Sequence, residues 1–506
     1  MREMGQGNQG HWSDIRRIIR NIGYIFGCGV FRAVLTPVFL VIIARRLGTE
    51  DFGSYSFAFS LASILLVLGD MGLSKLVVRE LSPRREQASR YLGGLIMLRL
   101  LTGVVGTLVL YGFIHWAGRR GDTRQALLLI GISLVLSTGF RRLFDAVFQA
   151  LEEMKYQAYM DMVDIFLTFG LGIFCVHAGW GLHGVALAMF YGSTTASLLD
   201  LAVLMKKVGK PRLRWELEFL KSLVKGSLPF AGMGLITFLF GYMDTVIVSL
   251  FRGDGQAGIF SGAYRVIWGM ALIPTTVMTA VFPYLSRTRG EGEAHGELMG
   301  RVVKYLSMLS LPFSTLLLLY SRQVMTLLYG AEYSGGVPAL AIMAAAPIFS
   351  FAYIPMADLL NAHYRHRRSL TALGAAALVN AFLCLLLVQF MGISGAAVAT
   401  LTAEAVLLGA ILYFSWREMG VHPASLAYWR VAVAALVAGA VILPLRKLLP
   451  LPAGISLYFL IYFPVLRLAR AFDGWDRELA LSVLRGAASR FRWLGRAAAL
   501  VQRTLS

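Results

Sequence analysis

The residues that demand a chemical explanation are the ionisable side chains inside long apolar runs. Asp244 and Arg265 bracket a Gly-rich stretch, Asp-Thr-Val-Ile-Val-Ser-Leu-Phe-Arg-Gly-Asp-Gly-Gln-Ala-Gly-Ile-Phe-Ser-Gly-Ala-Tyr-Arg. It reads as the end of one membrane-spanning helix, a tight turn and the start of the next. Arg32 and Arg99 lie in earlier apolar runs, and Asp70, Asp145, Asp161, Asp164, Asp200, Asp358 and Glu404 in others. A charge in hydrocarbon is costly, so it faces a water-filled cavity or a partner and marks a transport path. Several of the acids must compensate the arginines, because unpaired buried charge is expensive. There is no Gly-Lys-Ser/Thr phosphate loop and no metal-spaced His/Cys set, so ATP hydrolysis and metal chemistry have no support.

The elements that must hold these side chains are membrane helices. Hydrophobic residues make up 57% of the chain, charged residues 15%, and the mean hydropathy is +0.66. A soluble domain of this size needs roughly a quarter of its residues charged. About fourteen apolar windows follow one another, each near the roughly 20 residues that cross a bilayer. They fall at 19–43, 52–78, 91–117, 126–148, 156–178, 182–205, 226–251, 257–285, 302–328, 335–361, 369–391, 393–415, 427–446 and 451–468. The net charge of +20 reflects where the basic residues sit and argues for no nucleic-acid partner. With the N-terminus in the cytoplasm, inside segments hold about 35 of the 48 Lys and Arg, and outside loops about 9. Both termini are then inside. Cys28, Cys175 and Cys384 are isolated in apolar runs and form no disulfide framework.

Two repeats organise the chain. Gly48, Gly53, Tyr55, Ser56 and Ala58 match Gly253, Gly258, Phe260, Ser261 and Ala263 at an offset of about 205. Gly181–Ala188 matches Gly392–Ala399 at an offset of about 211. Spans one to six therefore pair with seven to twelve, as two lobes of like orientation related by an axis along the membrane normal. The expected parts are a basic N-terminal segment 1–18, an N-lobe 19–205, a basic cytoplasmic linker 206–225, a C-lobe 226–415, and spans 427–468 outside the repeat. The basic tail 469–506 carries a helical stripe of Leu484, Phe491, Leu494 and Val501 suited to an anionic membrane surface.

At these residues the chain resembles a known family. The Asp244–Arg265 stretch is similar to the seventh-to-eighth-helix signature of polysaccharide flippases. These form the polysaccharide transporter family of the multidrug/oligosaccharidyl-lipid/polysaccharide exporter superfamily. Ala44–Tyr55 resembles that family's first loop, Asp70–Leu73 its second helix and Tyr329–Tyr333 the turn after its ninth. The likeness runs from about residue 15 to residue 470. The family usually has alanine where this chain has Gly262. The resemblance implies a non-enzymatic flippase of the inner membrane carrying a polyprenyl-pyrophosphate-linked oligosaccharide outward, with glycan polymerase and glycosyltransferases as further partners. A pyrophosphate calls for fixed cations: Arg32, Arg99 and Arg265 are the candidates, because guanidinium stays charged and its fork matches phosphate oxygens. Each has a plainer reading, an ion pair with Asp244 for Arg265 and snorkelling to the interface for Arg99. Tyr264 could stack on a sugar ring, though aromatics also collect at membrane interfaces. Asp244, Asp358, Glu404 and Asp70 are expected to compensate charge or to couple the cycle to Na⁺ or H⁺, with no cofactor. The alternatives are a cation-coupled multidrug-type exporter and a membrane-bound polysaccharide polymerase or glycosyltransferase. The latter usually needs a sizeable extramembrane part, and here the outside turns are short and the largest hydrophilic loops, 206–225 and 286–301, are expected in the cytoplasm.

Overall fold

The computed structural model describes residues 3–214, 216–287, 292–421, 428–446, 448–472, 474–476 and 478. The stripe expected in the tail lies outside them. In chain order the helices are α1 (Glu3–Asp70), α2 (Leu73–Leu81), α3 (Ala88–Trp116), α4 (Gly121–Ile132), α5 (Gly139–Ala150), α6 (Met154–His177), α7 (Gly181–Val208), α8 (Leu217–Arg252) and α9 (Asp254–Met270). There follow α10 (Leu272–Arg287), α11 (Gly292–Leu319), α12 (Ser321–Tyr329), α13 (Val337–Met343), α14 (Ala346–Ala362), α15 (His366–Met391), α16 (Ile393–Met419), α17 (Tyr428–Leu445) and α18 (Leu451–Leu468). No strand occurs among the described residues.

Among the described residues, eleven stretches are long and apolar enough to cross a membrane, or twelve if α13 and α14, bent by 49°, with the turn before them make one span. The first stretch, Gly23–Leu81, has 59 residues. At 1.5 Å per residue that is about 90 Å of helix, more than a bilayer needs for one crossing. It breaks at Gly48, whose φ of 75° ends one helix and begins another. Helix α8 starts at Leu217, inside the stretch expected to be a linker, because Leu220 and Leu223 there are buried. The fourth window is interrupted by a π turn at Ser133–Thr138.

Contacts divide the chain into two compact units. The first comprises Met1–Met270, Val324–Met343 and Arg367–Leu407. One part of its core gathers Leu76, Val77, Tyr91, Leu95, Phe144, Phe148, Leu204 and Leu220 from α2, α3, α5, α7 and α8. The second comprises Ala271–Gln323, Ala344–His366 and Leu408–Ser506. Its core packs Leu316 and Tyr320 against Ala434, Ala438 and Ile442 of α17 and Tyr458 and Tyr462 of α18. The Tyr462 hydroxyl donates to the Met308 carbonyl at 3.1 Å, and Gly454 leaves the space that the Tyr320 ring occupies.

Candidate functional site

The first unit carries four polar centres. One is made by the repeated turns themselves. A methyl at Gly53 would strike the Asp254 carbonyl, and one at Gly258 the Thr49 carbonyl. Each would also come within 2.9 Å of the other glycine's amide nitrogen. Thr49 and Asp254, like Gly53 and Gly258, are separated by 205 positions, so the contact between the two turns is reciprocal. Asp254, buried at the start of α9, accepts from Ser249 and Arg119 at 2.5 Å and from Ser54 at 2.6 Å. The Tyr333 hydroxyl reaches the Ala44 carbonyl at 2.9 Å and that of Gly48 at 3.1 Å. Arg45 donates to the carbonyls of Leu327 and Leu328. Arg252 donates to the Val388 and Gln389 carbonyls at the end of α15 at 2.9 and 2.5 Å. In the other copy Arg46 meets His177 at the end of α6, at 3.3 Å.

The second centre is cationic and aromatic. Arg265 lies over the rings of Phe52 and Phe59, at 5.8 and 6.0 Å. Phe59 touches Tyr242 and Tyr242 touches Phe238, over which lies the guanidinium of Arg142 at 5.4 Å. Among the described residues neither Arg265 nor Arg142 is in an ion pair. Two fixed cations thus stand at the ends of a row of three rings, a cation–π setting that leaves N–H groups for an anion. Tyr264 stacks on Phe260 with centroids 6.0 Å apart.

Beside it lies an acid-rich network. Arg141 is buried and pairs with Asp161 at 2.8 Å, Asp164 at 2.6 Å and Asp200 at 3.3 Å. Arg32, half-exposed, shares Asp161 at 2.8 Å. Among the described residues, Asp145 Oδ1 and Asp200 Oδ1 are buried without a hydrogen-bond partner. Arg99 does not snorkel: it is 0% exposed, donates to the Val135 carbonyl in the π turn, and is walled by Gly69 and Gly139, where a methyl would overlap its guanidinium. Asp70 accepts from Ser74 at 2.5 Å. At Gly72, φ +74°, the α8 backbone passes so close that a side chain would meet Ser227 and Ala231.

The fourth centre is Asp244, buried at 4% exposure. Asn380 Nδ2 donates to its Oδ1 and the Thr400 hydroxyl to its Oδ2, both at 2.8 Å. The ion pair of Asp244 with Arg265 that the sequence left open is not what forms: two neutral donors take the carboxylate. Glu404 is half-buried one turn beyond Thr400 on α16. Asp358 belongs to the second unit, half-buried on α14. The sequence reading missed Arg141, Arg142, Arg119, Asp254, Asn380 and Thr400. The adjacent arginines in the middle of an apolar window were the available signal.

A helical transporter fold of many spans, with charges held between them, is the class that these features define. The lipid II flippase MurJ in its inward closed conformation superimposes with a TM-score of 0.75 at 15% identity, over 91% of this chain and all of that one. That likeness concerns the fold. The chain belongs to the polysaccharide biosynthesis protein family, whose model matches residues 18–289. A Haloferax volcanii protein named "Probable low-salt glycan biosynthesis flippase" is 22% identical over 76% of this chain and 80% of its own length. The succinoglycan biosynthesis transport protein of Rhizobium meliloti is 23% identical over 65% of this chain and 66% of its own. The chain is thus a multi-pass membrane transporter of polysaccharide biosynthesis, as the sequence resemblance implied.

Proposed function

We propose that the protein flips a polyprenyl-pyrophosphate-linked oligosaccharide across the cytoplasmic membrane by alternating access. The observation that carries this reading is the pair of guanidiniums, Arg142 and Arg265, unpaired among the described residues and set beside rings inside membrane spans. An uncompensated intramembrane cation is costly and, where it faces a cavity, marks a path that an anion can use. Arg32 lends a third positive charge. Arg99, sealed in this conformation, takes part only if Gly69 and Gly139 move away. Tyr242 and Phe59 supply faces for a sugar ring.

In this reading the Gly23–Leu81 stretch, the α13–α14 pair and α17 bring the spans to fourteen, in two lobes, with both termini cytoplasmic as the Lys and Arg distribution requires. The reciprocal Gly53–Gly258 contact then closes the outer end, and rocking of the lobes opens it. Asp244, with Asn380 and Thr400, takes the coupling Na⁺ or H⁺. A cation-coupled drug exporter is the second reading, favoured by the Arg141 acid network; ethidium efflux would separate the two.

The test is surface polysaccharide in a host whose own flippase has been deleted. Arg142→Ala and Arg265→Ala, expressed and inserted normally, are expected to abolish it, and Arg32→Ala to reduce it. Unchanged polysaccharide in both of the first two variants would overturn the site assignment.

A further inference from the structure

A groove of about 410 Å³ opens between α3 and the first turns of α8. Its walls are Met97, Leu98 and Leu101 on one side and Leu217, Leu220, Val224 and Leu228 on the other, with Lys221 and Lys225 at its edge. The lysines are exposed, one helical turn apart, and among the described residues neither is in a hydrogen bond or ion pair. Two acids stand at the start of α8: Glu216, taken by Arg90, and the exposed Glu218, three residues before Lys221 and in no ion pair among the described residues. Gly93 lets the chain between α7 and α8 lie directly on α3, where a methyl would strike the Arg212 backbone, and Gly94 faces the Phe219 ring of α8.

We propose that this groove is a binding site for an anionic phospholipid of the cytoplasmic leaflet. One acyl chain lies along the leucines and the phosphate sits on Lys221 and Lys225. A wholly apolar groove within the bilayer fills with hydrocarbon whatever the lipid, so the paired ammonium groups supply the selection. Lysine stems suit this arrangement, since they cover apolar surface while the heads reach the headgroup level. Leu228 is seven residues beyond Lys221, about 10 Å deeper along the helix axis. The phosphate therefore lies at the interface and the chain within the hydrocarbon. The assignment rests on the proposed orientation of the protein and is independent of its substrate.

The full chain, purified in a neutral detergent, is titrated with dioleoylphosphatidylglycerol and with dioleoylphosphatidylcholine, and the tightly retained lipid is counted by native mass spectrometry. The wild type is expected to keep one phosphatidylglycerol that Lys221→Gln/Lys225→Gln loses. Its affinity should fall about 30-fold, to the phosphatidylcholine level, at about tenfold or less per lysine. Leu101→Trp, which fills the groove and spares the lysines, is expected to weaken both lipids. Equal binding of the two lipids by the wild type, or a double variant that still prefers phosphatidylglycerol, would overturn the site. So would displacement by glycerol 3-phosphate, which marks a plain phosphate site, or by farnesyl pyrophosphate at lower concentration than phosphatidylglycerol, which marks a polyprenyl site.

Discussion

Arg141 and Arg142 are neighbours in sequence with opposite fates. The first is buried against three aspartates, the second leans on the Phe238 ring. Successive helical residues point about 100° apart, so an adjacent pair must face different surroundings. That difference predicts a split in stability. Arg141→Ala strands the fully buried Asp200 and leaves Asp161 and Asp164 to Arg32 alone, and should cost about 3–5 kcal/mol, read as a large loss of thermal stability in detergent. Arg32→Ala removes a partner that is 46% exposed and should cost about 0–1 kcal/mol. Equal melting temperatures for the two variants would contradict the network. The acids were legible in the sequence as charges in apolar runs. Which arginine each one takes was not, because hydropathy says where charge is expensive and not which face it turns to. Asn380 and Thr400 escaped altogether: uncharged residues give no such signal until a carboxylate is seen between them.

At the scale of elements, the apolar windows were long enough to announce most helices, and the positive φ of Gly48 and Gly253 falls where the turns were expected. The interruptions were less visible. The π turn at Ser133–Thr138 exposes a carbonyl that Arg99 takes, and only the tertiary partner explains it. The repeat showed that two turns are alike but not that they touch. Because they do, Gly53→Ala and Gly258→Ala should behave as equivalents, each driving a methyl into the other turn's backbone. Either is expected to loosen this contact by about 1–3 kcal/mol of overpacking. A cysteine placed at Ser261, which is buried one turn beyond Gly258, should then react faster with a membrane-impermeant maleimide. Protection equal to wild type in both variants would show that the contact does not control access.

Over the whole chain, the repeat exposes an asymmetry that neither half shows alone. Asp244 corresponds to Phe39 at the first offset, Asn380 to Phe169 at the second and Thr400 to Met189. Where the later copy holds a hydrogen-bonded carboxylate, the earlier one stacks Phe39 on Phe169 at 4.3 Å. Conversely Asp161 and Asp164, which bind Arg141, correspond to Ala372 and Ala375. The same scaffold therefore tolerates apolar residues at each polar centre, so neither centre is demanded by packing. A buried carboxylate facing only neutral donors is satisfied by a small cation or a proton, and replacing it separates folding from coupling. Asp244→Asn keeps the volume and is expected to insert and melt like the wild type, while transport in reconstituted vesicles no longer responds to an imposed Na⁺ or H⁺ gradient. Thr400→Val removes one donor to the carboxylate, worth about 1.5–3 kcal/mol. A carboxylate with one donor fewer holds a proton or cation more tightly, so the variant should lower the concentration of the driving ion needed for half-maximal transport by about tenfold or more. If Asp244→Asn transports with full gradient dependence, the driving ion enters elsewhere, and the Arg141 acids become the place to look.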